Sequence, residues 1–139
     1  MSYEEKGTWA YLVTSVAVWL GYVGVVVRRA DGGPLAEVPY VAPLLWAVGA
    51  SIVANVIGRV LLEIVRPSES HQADVRDRDV ARLGDYVGGL VLSVLVAGVL
   101  ALTLVEAEHF WIANAIYAAF VVQVVVSSVV RLVAYRRGL

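Results

Sequence analysis

Four stretches of this chain each run for the thickness of a bilayer without one charged side chain. They cover residues 7–27, 38–58, 86–105 and 110–130, which is 21, 21, 20 and 21 residues. A helix rises about 1.5 Å per residue and crosses the hydrocarbon core in roughly 20 predominantly apolar residues. The whole chain is only 139 residues long, so four such stretches leave no length for a soluble domain. Apolar residues make up 60% and charged residues 17%, against about half and about a quarter in an ordinary soluble domain. The runs are continuously apolar and do not alternate with period two, which argues against the strands of a transmembrane barrel. Valine is abundant, yet inside lipid every backbone group must bond within its own segment, so helix is the expected state. The fold class is therefore all-α: a polytopic four-transmembrane-helix bundle forming a single domain, with spans near 8–27, 40–65, 84–105 and 110–133.

The basic residues orient this bundle. With four spans, both termini and the middle connection share one side. That side carries Lys6, Arg59, Arg66, Arg76, Arg78, Arg82, Arg131, Arg136 and Arg137, whereas the other carries only Arg28 and Arg29. The positive-inside rule then puts both termini in the cytoplasm, and the expected location is the plasma membrane. Trp9, Tyr11, Tyr86 and Tyr135 fall near the inner ends and Tyr40, Phe110 and Trp111 near the outer ends, as interfacial aromatic belts do. Residues 1–6 hold two acids and a lysine, and the apolar run that follows is too long for a signal-peptide core of roughly 7–15 residues. The first segment reads as a retained span. So one-sided a charge distribution argues against dual-topology families such as fluoride channels and small multidrug exporters.

Several chemistries are set aside by composition. No cysteine is present, which rules out dithiol redox work, thiolate metal sites and disulfides. A net charge of −1 gives no basic field for direct nucleic-acid binding. Neither histidine lies within a span, so paired axial ligation of a haem is excluded. No hydroxyl has an intramembrane His or Lys near it in sequence to act as its base. Glu106 and His109 have the i, i+3 spacing of one di-iron contributor, but that chemistry needs several such pairs in one core, and a solvated turn is expected. The chain reads as non-enzymatic and without cofactors.

Polar residues recur on two spans. Ser51, Asn55, Arg59 and Glu63 follow one another at i+4 on the second, and Gln123, Ser127 and Arg131 on the fourth. An intramembrane ionisable residue is a functional signal by default. Asn55, Arg59, Glu63, Gln123, Ser127 and Arg131 are therefore the candidate lining of a cytoplasm-facing vestibule. The plainer reading is that Arg59 snorkels to phosphate while Asn55 and Gln123 bond between helices. Small residues at the same spacing, above all Gly84 with Gly88 and Gly89, Ser93 and Ala97 on the third span, are candidate close-packing surfaces, within the chain or between copies.

The most distinctive stretch, 74–88, reads as a helical extension that enters the third span without a break, because no proline intervenes. Asp74 with Arg78, Asp79 with Arg82, and Arg82 with Asp85 have the spacings of helical ion pairs. Its charged face, Asp74, Arg76, Asp77, Arg78, Arg82 and Asp85, is a candidate docking surface. The pattern Asp74-x-Arg76-Asp77-x-x-Val80-x-x-x-Gly84 resembles the Asp-Glu-Arg-Asp-x-x-Ile-x-x-x-Gly signature of uncharacterised small four-span prokaryotic membrane proteins, which carry it just before their third span. Val75 stands where that signature has Glu. Members are often encoded beside a small helix-turn-helix regulator, and no biochemical activity comes with the resemblance. What it implies is a structural or regulatory membrane protein. Membrane lipid, a second copy of the chain and a cytoplasmic regulatory protein are the expected partners. A small channel or transporter built on the vestibule, or a bundle binding a lipid or other hydrophobic ligand, is the alternative expectation.

Overall fold

The computed structural model describes residues 3–65 and 75–138. Four long helices account for most of them: α1 (Tyr3–Ala30), α2 (Val41–Val65), α3 (Val75–Leu104) and α4 (His109–Arg137), with a single 3-10 turn at Leu35–Glu37. All four are long and apolar enough to cross a membrane. The helices outrun the charge-free stretches because their charged ends suit the helix dipole. Glu4 and Glu5 sit in the first turn of α1, Arg28 and Arg29 in its last, and Arg136 and Arg137 in the last turn of α4, where each sign is favourable. The extension before the third span is continuous with it, so α3 is one helix of 30 residues.

Turn chemistry joins neighbouring helices tightly at one end. After α1, Asp31 and Gly32 take positive φ values of 45° and 77°, and the Gly33 N–H donates to Ala30 O at 2.7 Å. After α3, Glu106 takes φ 55°. Its N–H donates to Thr103 O, and the Ala107 N–H reaches back to Leu102 O. This pair of bonds is the Schellman closure, with a glutamate in the left-handed position that glycine usually fills. We call this the loop end and the opposite one, which carries both termini, the terminal end.

The seams between helices are unequal. The most extensive is α3 on α4, followed by α1 on α2 and α1 on α4, so α2 is held to the rest chiefly through α1. The α3 face that packs is Val80, Gly84, Gly88 and Val99, all buried, at the spacing of one helical stripe. Glycine is required here. A Cβ on Gly84 would lie 2.6 Å from Arg131 Cγ and 3.0 Å from Ser127 O, and one on Gly88 would lie 2.9 Å from Ser127 Cβ. Gly89, Ser93 and Ala97 do not share this seam. They are exposed, and a Cβ on Gly89 would meet nothing within 4 Å. One residue of offset turns a side chain about 100° round a helix, enough to send that second stripe outward. Ala50 and Ala54 on α2 are likewise exposed.

An aromatic cluster closes the loop end. Tyr22, Val26, Val38, Ala47 and Phe110 form its buried centre, with Trp19, Tyr40 and Tyr117 packed against it. The Tyr22 hydroxyl donates to Asn114 Oδ1 at 2.7 Å, and Asn114 Nδ2 donates to Phe110 O at 2.8 Å. Tyr40 meets Phe110 edge to face at 5.2 Å, and Tyr22 lies 5.4 Å from Tyr117. An apolar hollow of about 410 Å³ lies beside the cluster, between α1, α3 and α4.

Candidate functional site

Because α2 reaches α4 mainly by way of α1, a cleft remains between them, with α1 as its floor. All six residues of the two polar stripes, Asn55, Arg59, Glu63, Gln123, Ser127 and Arg131, line one cleft of about 600 Å³ at the terminal end. α1 contributes Glu4, Thr8, Tyr11 and Thr14, and α3 contributes Asp85. A deeper compartment of about 420 Å³ continues toward the loop end and shares Tyr11, Asn55, Arg59 and Gln123 with the first. Its further lining is mostly apolar, including Ile52, Val56, Phe120 and Val124, and it ends at Tyr117, which belongs to the aromatic cluster.

Charge is graded along this path. The wide mouth holds Glu4, Glu63 and Asp85 with Arg59 and Arg131, whereas among the described residues Arg59 is the one charged side chain lining the deep compartment. The two arginines are in different states. Arg131 pairs with Asp85 of α3 and lies flat over Gly84, its Nε buried without a partner. Among the described residues Arg59 makes no ion pair, and it is exposed to the cleft. Asn55 donates one amide hydrogen to Ser51 O at 2.7 Å, the back-bonding by which polar side chains settle on a helix. Asn55 lines both compartments.

Two features that looked separate in the sequence are one contact. The Gly84–Gly88 step on α3 packs on the same Gln123–Ser127–Arg131 stripe that lines the cleft. Glycine lets α3 approach closely enough to support that stripe from behind.

The charged extension divides. Arg76 donates to Tyr135 O at 3.4 Å, Asp77 faces the Tyr135 side chain and Asp85 holds Arg131, so these three docking candidates are engaged with α4. Among the described residues neither Asp79 nor Asp85 bridges to Arg82, because Asp85 is turned to α4 instead. Arg78 and Arg82 are exposed. Asp74, and with it the expected Asp74–Arg78 pair, lies outside the described residues. Sequence reasoning missed Asn114, whose bond to Tyr22 ties α4 to α1. The signal was a second amide, besides Gln123, in the fourth apolar stretch. Compared with known proteins, the chain matches no family model, no curated protein and no solved structure.

Proposed function

We propose that this chain is a non-enzymatic integral membrane protein that takes a ligand into the polar cleft between α2 and α4. The observation that carries this reading is the meeting of two polar stripes, 60 or more residues apart in sequence, on one cleft of about 600 Å³. That volume falls within the roughly 300–1,000 Å³ of small-molecule sites, where a few convergent polar groups sit on apolar walls. The excess of arginine and lysine beside both termini supports a cytoplasmic opening in the plasma membrane. The aromatic cluster beyond Tyr117 supports a one-sided vestibule over an open pore through a single chain.

The absence of cysteine makes a direct test simple. With Asn55→Cys as the only thiol, a charged, membrane-impermeant alkylating reagent applied from the cytoplasmic face is expected to react readily. Val94→Cys, on an exposed apolar face of α3, should react at least tenfold more slowly. Equal protection of both thiols would remove the vestibule.

A second reading has its own support: a structural or regulatory protein that docks a cytoplasmic partner or a second copy through Arg78 and Arg82, whose side chains are exposed on the extension of α3. Reversing both charges, Arg78→Glu with Arg82→Glu, is expected on this reading to abolish capture of the partner or to change the mass of the assembly in native mass spectrometry. Unchanged mass and capture would discard it.

A further inference from the structure

We propose that the ligand of this cleft is an amphiphile with one anionic head, a carboxylate or a phosphate monoester, on a hydrocarbon body. The proposal rests on the vestibule reading above and names its occupant.

The deep compartment has two characters. Its polar lining is Arg59, Tyr11, Gln123 and Asn55, its other walls are mostly apolar, and Ile52 and Phe120 lie on the loop-end side of Asn55 and Gln123. A guanidinium gives two parallel N–H donors that match a carboxylate or phosphate. Among the described residues that line the cleft, Arg59 is also the cation left for a ligand, since Arg131 is already paired with Asp85. It lies six residues before the end of α2 at Val65, about 9 Å along the helix. A charge at that depth is costly unless an opposite charge accompanies it. An anionic head would supply that charge where the low dielectric strengthens their attraction.

The mouth argues for a head that arrives attached to a chain. Three acids, Glu4, Glu63 and Asp85, stand with two arginines at the aqueous opening, and Asp85 is already paired with Arg131, so that route offers small free anions no net attraction. The sides of the cleft face lipid, because α2 is held to the bundle chiefly through α1. A hydrocarbon tail can therefore enter from the bilayer and lie against Ile52 and Phe120 while its head reaches Arg59.

The experiment uses the full chain with Asn55→Cys in a non-ionic detergent and follows its alkylation. The probes are oleate, oleyl alcohol and inorganic phosphate. Oleate is expected to slow alkylation at least tenfold, with oleyl alcohol and phosphate leaving the rate within twofold. Arg59→Gln should abolish the protection, and so should Ile52→Trp, which fills the compartment on the loop-end side of Asn55, about two turns from Arg59. Arg78→Gln, outside the cleft, should preserve it. Equal protection by oleyl alcohol would overturn recognition of the head, and protection by phosphate alone would overturn the amphiphile in favour of a free anion. A thiol that reacts readily but is protected by no probe would overturn the ligand class while leaving the vestibule standing. A thiol that never reacts would overturn both.

Discussion

Leucine at Gly84 is expected to pry α3 from α4 and to cost about 3 kcal/mol, the upper part of the range for overpacking a close contact. Even the first atom of a side chain has no room, at 2.6 Å from Arg131 Cγ and 3.0 Å from the Ser127 carbonyl. The carbonyl cannot move without the helix, and Arg131 cannot move without leaving Asp85. The Asp85–Arg131 pair is itself worth little, since the Asp85 side chain is 66% exposed and such pairs contribute under about 1 kcal/mol. Most of the loss is steric. The comparison that isolates it is Gly89→Ala, five residues along and about 140° round the helix, where nothing lies within 4 Å. That change should be neutral or stabilising by up to about 1 kcal/mol, through helix propensity alone. Unfolding midpoints in a denaturing-detergent titration check both. A Gly84→Leu protein as stable as the parent would mean that the α3–α4 seam is not as close as described.

Phe110→Ala is the second large effect, expected to cost about 3–5 kcal/mol, the range for truncating a buried aromatic. Phe110 is 5% exposed and touches residues drawn from α1, α2 and the turn between them. Those segments come from the first third of the chain, and Phe110 is where α4 meets them. Edge-to-face contact with Tyr40 adds to the packing, at about 0.5–1.5 kcal/mol for such a pair. The control is Trp46→Ala, a larger truncation at a residue 79% exposed, where a change within about 0.5 kcal/mol is expected. The same titration distinguishes them, and equal losses at the two positions would deny the cluster its role in joining the hairpins.

Much of the architecture was legible before any coordinates. The charge-free stretches located the four helices, and the missing proline between 74 and 84 joined the charged extension to α3. The polar stripes were legible as stripes, because i+4 spacing on a helix always makes a face. Which face met which neighbour was not. Gly84–Gly88 and Gly89–Ser93–Ala97 are equivalent as patterns of small residues, and only the first is covered. Asp85 had Arg82 within helical reach, yet it pairs with Arg131, 46 residues away.

The sequence by itself determined what each segment is: its length, its helical state in lipid and the periodicity of its faces, all consequences of local hydrogen bonding and of the cost of charge in hydrocarbon. Tertiary structure alone decided that α2 leans on α1 and stands off from α4, leaving the cleft that Arg59 and Gln123 share. Between apolar helices in a bilayer there is no hydrophobic force to choose partners. The choice falls to close packing and a few interhelical bonds, which depend on the fit of whole surfaces and are written in no single stretch of the chain.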